Sequence, residues 1–161
     1  MRVHICAVGR LRAGPERALI DDYRTRFDRT GQALGLGPLQ VREVGDRKGG
    51  GAEAEAALIR RAIPGGALVC VLDERGKAMT SPGFAQRLAR WRDDGQSDVA
   101  FVIGGADGLW PGLRAEADFV LGFGAMVWPH MLARVMLSEQ LYRAASILAG
   151  GPYHRGDAAG R

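Results

Sequence analysis

Strand and helix signals alternate along the whole 161-residue chain, which predicts an α/β fold: a mainly parallel sheet with helices on both faces. Residues 67–72 and 99–103 are continuous apolar runs, which suits strands buried on both faces. Glycine and proline punctuate the changes of period, at Gly9, Gly14-Pro15, Gly31, Pro64-Gly65-Gly66, Gly95 and Gly150-Gly151-Pro152.

Each element follows from its own pattern. Residues 3–8 are a short apolar run closed by Gly9, a first strand. Pro15 suits a first helical turn, and Leu19, Ile20, Tyr23 and Phe27 then recur at helical spacing up to Gly31. Residues 39–44 alternate Leu or Val with polar residues, as a half-buried strand does. Gly45-Asp46-Arg47-Lys48-Gly49-Gly50-Gly51 reads as a basic loop, and residues 52–63 as an Ala-rich helix stopped by Pro64. The buried strand 67–72 exits into the loop Asp73-Glu74-Arg75-Gly76-Lys77. Ser81-Pro82 offers a cap and a first-turn proline for a helix through Trp91. Strand 99–103 exits into Gly104-Gly105-Ala106-Asp107-Gly108. A short helix at 111–117, a last strand at 118–122, the connection 123–129 and a long final helix at 130–149 complete a single domain over residues 1–161. In such sheets ligands sit beyond the carboxyl ends of the strands, so the loops after Leu72, Ile103 and Gly122 are where a site is expected.

Composition narrows the function classes. Apolar residues make up 47% and charged residues 25%, ordinary for a globular domain, and no run approaches a membrane span. The first residues are too quickly interrupted by Arg10 and Arg12 to read as a signal peptide. Cys6 and Cys70 lie in apolar runs without metal-ligand spacing, which favours buried thiols in a reducing cytoplasm and no bound metal. The net charge is +4, and 20 of the 22 cations are arginine, which permits phosphate contact without requiring it.

Known catalytic signatures are missing. Gly104-Gly105-x-x-Gly108 lacks dinucleotide-loop spacing, Gly76-Lys77 lacks the rest of a Walker loop, and there is no nucleophile elbow, zinc-protease or kinase signature. The connection Phe123-Gly124-Ala125-Met126-Val127-Trp128 is oddly apolar, which suits either a subunit interface or the wall of a small-molecule pocket. Glu139 and Arg143 are spaced to pair on an exposed helix face. His130 suits a helix start and His4 a structural place in a strand. Tyr153-His154-Arg155 stand just past a helix stop with no core role, where a frayed end is the bland alternative.

Taken together, Leu72-Asp73-x-x-Gly76-Lys77, Phe101-Val102-Ile103-Gly104-Gly105-x-x-Gly108-Leu109, Pro129-His130, Glu139-Gln140-Leu141-Tyr142-Arg143-Ala144 and Pro152-Tyr153-His154-Arg155 resemble, in order and spacing, one family. It is the ribosomal large-subunit RNA methyltransferase H group, a minimal branch of the SPOUT methyltransferases, and the resemblance spans essentially the whole chain. It implies a SPOUT-type fold with a C-terminal trefoil knot over roughly residues 67–155, a homodimer, and S-adenosylmethionine as cosubstrate. The implied substrate is a pseudouridine of 23S rRNA, methylated at ring nitrogen 3 in the assembled ribosome. Leu72, Gly104, Gly105 and Phe123, Gly124, Ala125, Met126, Val127 and Trp128 would hold the cofactor. Tyr153, His154, Arg155 and Arg143 would act on the RNA side: Tyr153 stacking, Arg143 or Arg155 holding phosphate, and His154 accepting a proton. Glu74-Arg75 and the extension Gly156 to Arg161 depart from the family pattern. Two other readings fit parts of the sequence: a non-catalytic RNA- or ribosome-binding factor of the same fold, and a flavodoxin-like nucleotide-binding module.

Overall fold

The structure, a computed structural model, describes residues 1–45 and 50–155. The charged centre of the basic loop, Asp46-Arg47-Lys48, and the extension Gly156 to Arg161 lie outside the described residues. Five parallel strands form one sheet: β1 (Arg2–Val8), β2 (Leu39–Val44), β3 (Leu68–Ala78), β4 (Asp98–Ile103) and β5 (Phe119–Gly122), in the order β2-β1-β4-β3-β5. A flavodoxin-like sheet runs 2-1-3-4-5. Here β3 and β4 are exchanged, which separates this chain from the flavodoxin-like reading.

The helices are α1 (Pro15–Gly31), α2 (Gly51–Ala62), α3 (Ser81–Asp93), α4 (Pro111–Glu116) and α5 (His130–Leu148). Strand periodicity sorts the core into two layers. Val3, Ile5 and Ala7 of β1 and Val99, Phe101 and Ile103 of β4 pack with Phe27, Leu88, Trp91, Leu137 and Leu141 of α1, α3 and α5. Cys6, Val8, Ala100 and Val102 point the other way, onto Ala56 and Ile59 of α2 and Leu113 of α4. Both faces are covered, as the unbroken apolar runs require. Burial pushes the Cys6 thiol up to about 11 and the Cys70 thiol higher still, so both stay protonated core groups.

Two local expectations are corrected. Residues 73–77 do not simply leave the sheet: Leu72 and Lys77 both pair with Leu121, so Asp73 through Gly76 bulge out and β3 rejoins β5. The bulge closes because Gly76 and Gly122 let two backbones touch. A Cβ on Gly76 would overlap the Leu121 carbonyl carbon and lie 2.6 Å from Gly122 N. At α3 the cap is Thr80, whose hydroxyl accepts from Gly83 N at 3.1 Å. The Ser81 hydroxyl instead donates across to Gln140 Oε1 at 2.8 Å, joining α3 to α5.

At the amino edge, Asp98 accepts from Arg2 Nη2 at 2.8 Å and lies 2.7 Å from His4 Nε2, which gives buried His4 its structural role. At the carboxyl edge, Arg134 of α5 is 1% exposed. Its guanidinium donates to Val8 O at 3.1 Å, to Gly9 O at 3.2 Å and to Glu43 Oε2 at 3.1 Å. Burial works against the Arg134 charge and Glu43 supports it.

Gly76→Ala is expected to lower stability by roughly 2–3 kcal/mol, because the new methyl meets rigid backbone; a urea midpoint equal to wild type would contradict this. Asp98 yields a pH dependence. Chiefly the Arg2 hydrogen bond, helped by His4 and Ser97, holds its carboxyl well below the usual range despite burial. Its contribution is therefore full above the unfolded carboxyl value of about 4 and fades as pH falls through the folded value. The stability gap between wild type and Asp98→Asn should narrow on acidification below about pH 4 in urea titrations.

Candidate functional site

The carboxyl ends of β3, β4 and β5 open into one cleft of about 410 Å³, a size suited to a small cofactor. Its walls come from the β3 bulge (Leu72, Asp73, Glu74, Arg75), from Ile103 and the turn Gly104 to Leu109, and from Phe123, Gly124, Met126, Val127 and Trp128 after β5. His130 and Ala133 of α5 close one side. Each position expected to hold cofactor lies on the wall except Ala125, which lies in the same connection but does not line the cleft. The departures Glu74 and Arg75 line it too.

The polar groups of the cleft are ordered by the chain itself. Asp73, mostly buried, takes Arg114 Nη1 at 3.0 Å on one oxygen and Arg75 N at 2.8 Å on the other, tying the bulge to α4. The glycines of the β4 exit have a nearer reason than ligand approach. A Cβ on Gly104 would lie 2.7 Å from Gly108 O, and Gly108 N donates to Gly105 O at 3.0 Å. Gly108 also has a φ of 80°, which favours glycine. The turn thus closes on itself and presents its backbone to the cleft. Trp128 Nε1 donates to Phe123 O at 3.4 Å, closing the apolar connection into a loop. That loop and the start of α5 expose Met126 at 73%, Val127 at 78%, Trp128, Met131 and Leu132.

The tail makes a second cluster. Gly150 has a φ of 72°, and Gly151 N donates to Ser146 O at 2.8 Å, so the chain turns back along α5. Tyr153 lies against Tyr142, centroids 4.6 Å apart, and its hydroxyl donates to Glu139 Oε1 at 3.1 Å. Arg143 donates to the same oxygen through Nε at 2.9 Å and Nη2 at 2.6 Å, and covers the Tyr153 ring at 4.8 Å. Its Nη1 lies 3.2 Å from His154 Nδ1. Arg155 is exposed, its Nε donating to Pro152 O at 3.4 Å. The tail is therefore no frayed end. Glu139 is more than one half of an exposed helix pair: it is 18% exposed and takes Gln140 Nε2 on its other oxygen at 2.9 Å. The i,i+4 spacing to Arg143 was the only trace of this hub in the sequence.

The state of the phenol and the tautomer of the imidazole follow. Burial first, then Tyr23 and Glu139, push the Tyr153 phenol above its ordinary range, so it remains a donor. Arginine can only donate, so His154 Nδ1 accepts and the neutral ring carries its proton on Nε2.

Cleft and tail do not meet within one chain. Among the described residues no tail residue lines the cleft, and Glu139 stands nine residues, about 14 Å, along α5 from His130. A second hollow of about 500 Å³ runs between them, bounded by Leu121, Phe123 and Gly124 at the cleft end and by Glu139 and Gln140 at the tail end.

A family model described as "Predicted SPOUT methyltransferase" matches residues 1–154. The chain belongs to the SPOUT methyltransferase family. It is 73% identical to a protein of Roseobacter denitrificans and 71% identical to one of Ruegeria pomeroyi, both named ribosomal RNA large subunit methyltransferase H. Each match covers 96% of this chain and 99% of the relative. A solved structure, a probable methylase family protein from Haemophilus influenzae Rd KW20, superposes with a TM-score of 0.53 over 96% of this chain and 70% of that one. At 15% identity it supports the fold alone. Among the described residues no helix is long and apolar enough to cross a membrane, and no group of three or more His, Cys, Asp or Glu is arranged to hold a metal.

Glu139→Ala should release the tail. Losing the Arg143 and Tyr153 anchors at about 1 kcal/mol or more predicts chymotryptic cleavage after Tyr153 roughly tenfold faster than wild type, read by mass spectrometry; an unchanged rate would show that Glu139 does not hold it.

Proposed function

We propose that this SPOUT chain is an S-adenosylmethionine-dependent methyltransferase of 23S rRNA that methylates ring nitrogen 3 of a pseudouridine in the assembled ribosome, in the cytoplasm. The observation that carries the reading is the single cleft made by three strand exits, in a chain 63–73% identical to relatives named for large-subunit rRNA methylation. The residues fit the cosubstrate. Leu72, Phe123 and Val127 offer apolar surface for a flat purine, and the Gly104–Gly108 turn offers backbone groups for its polar edges. When bound, the cosubstrate supplies an already activated methyl group, so alignment is the protein's main task.

We read residues 67–155 as the knotted segment, and the active form as a homodimer in which each cleft meets the tail of the other protomer. Two observations support that assembly. The exposed Met126, Val127, Trp128, Met131 and Leu132 form apolar surface of the kind a subunit interface covers. The tail's donor cluster also stands apart from its own cleft.

The chemistry of the tail points to donors. Ring nitrogen 3 must lose its proton before or during transfer, and negative charge then spreads onto the two flanking carbonyl oxygens. Arg143 occupies the His154 Nδ1 lone pair, so a neutral His154 carries its proton on Nε2, an atom covered in the single chain that RNA must uncover to reach. That N–H, with the guanidinium of Arg143 or Arg155, suits stabilisation of a base anion, while the proton passes to water. Tyr153 offers a ring face for stacking. On this proposal His154 serves as a donor, where the sequence offered it as a candidate proton acceptor.

Tritiated methyl transfer to ribosomes lacking the modification tests the function, with free rRNA compared; transfer is expected on ribosomes. Calorimetry with S-adenosylmethionine separates the non-catalytic factor, which would show no binding. At saturating ribosome, His154→Ala should slow transfer about 100-fold, as loss of one such donor does. His154→Gln keeps a side-chain donor and should recover part of the rate; equal loss in both variants would favour a base, and no loss in His154→Ala would remove the residue from the mechanism.

A further inference from the structure

The turn after β1 stands on the same edge as the cleft and is used by neither cleft nor tail. It carries Arg10, Leu11 and Arg12, with Leu11 buried and both arginines exposed. Its backbone is held from several sides. Gly9 N donates to Val44 O at 2.8 Å, and Leu11 N donates to Glu43 Oε2 at 2.6 Å. Leu11 O accepts from Arg17 Nη1 at 3.2 Å, and Val8 O and Gly9 O accept from buried Arg134. Glu43 therefore serves two donors at once, the turn's own amide and the guanidinium that ties it to α5.

A connection between a strand and a helix does not need a buried charge to hold it, since burying an ion pair costs desolvation. What this network fixes is the backbone from which two exposed arginine side chains leave on either side of a buried leucine. Many arginines of this chain are paired: Arg2 with Asp98, Arg60 with Glu116, Arg92 with Asp93, Arg114 with Asp73. Arg10 and Arg12 have no carboxylate partner among the described residues. They also stand close to the cleft. Ala7 is in register with Ile103, and the Val8 side chain lies 3.1 Å from where a Gly105 Cβ would be. On the α5 side, Arg134 directly follows the cleft residue Ala133.

We propose that Arg10-Leu11-Arg12 is a phosphate-binding turn that grips the RNA backbone beside the cleft, with Arg134 and Glu43 as its positioning residues. Guanidinium forks match phosphate oxygens in pairs, and a rigid turn presents them with its backbone already ordered, so that part of the cost of binding is met beforehand. The network also links grip and chemistry, because Arg134 sits on the helix whose neighbouring turn walls the cleft. The proposal rests on the RNA-methyltransferase reading above, yet its test does not depend on turnover.

Binding to purified ribosomes is measured across a KCl series for wild type, Arg10→Ala/Arg12→Ala and Arg29→Ala/Arg90→Ala. The last pair removes the same charge from the ends of α1 and α3, at the opposite edge of the sheet. Loss of two phosphate contacts should weaken binding about 10- to 100-fold at fixed salt and flatten the log–log salt slope by about 1.5 to 2, while S-adenosylmethionine affinity stays at wild type. Arg29→Ala/Arg90→Ala should keep the wild-type slope. Glu43→Gln, with both arginines intact, should weaken ribosome binding as the turn loosens; wild-type binding by this variant would overturn the positioning role. The turn's role is overturned if Arg10→Ala/Arg12→Ala binds like wild type, or if both charge-matched pairs lose affinity alike. A wild type that binds ribosomes with this salt response but transfers no methyl would overturn the function and leave the turn standing.

Discussion

The contact on which the rest of this structure depends is the buried Arg134 guanidinium. Helix α5 must do three things: wall the cleft at His130 and Ala133, carry the Glu139 hub, and launch the tail. Apolar packing against α1 and α3 holds the helix but tolerates small slides, because such contacts are not directional. Arg134 supplies direction. It reaches the last carbonyl of β1, the first carbonyl beyond it and a carboxylate of β2. A helix shift of even one ångström would leave a buried charge without partners, which is among the costliest changes a core can suffer.

That constraint explains why the fold was more legible in the sequence than the site. Residues 67–72 and 99–103 read as doubly buried strands because every residue must be apolar when both faces are covered; 99–103 are fully buried, while in 67–72 Cys70 and Val71 are buried and their neighbours half-buried. Pro15 at the start of α1 and Gly150 at the end of α5 are likewise local signals with local causes. Arg134 has no such signal: in a helix of alternating character an arginine reads as solvent-facing, and only the tertiary fold reveals three acceptors at its tip. The Asp73 to Gly76 bulge was hidden for a related reason. Four polar or small residues after a strand look like an exit, and only pairing with Leu121 of β5, 44 residues further on, brings Lys77 back into the sheet.

The candidate site divides along the same line. Its cleft half is built from strand ends, whose positions follow from the sheet, so the apolar runs were enough to point to the loops after Leu72, Ile103 and Gly122, while the individual positions came from the family resemblance. The tail half is built from long polar side chains that organise one another. Ser81, Gln140, Glu139, Arg143, Tyr153 and His154 form one hydrogen-bonded chain from the start of α3 to the end of the described residues. Residue types identified its members, but not the central place of Glu139, because spacing alone cannot say how many donors converge on one carboxylate.

The direction of that chain of bonds has a chemical consequence. Glu139 is the anion, and it orients Arg143 by taking two of its N–H groups on one oxygen. Arg143 is then left to point Nη1 at His154, and having no lone pair it imposes the Nε2–H tautomer on the neutral ring. Tyr153, its phenol held neutral, cannot take the proton instead. The carboxylate thus sets, through two contacts in series, which nitrogen of a neutral imidazole carries the hydrogen. On the function proposed above, an ordering of this kind makes the tail a set of fixed donors, suited to charge that appears on a reacting base and of no use to a neutral one.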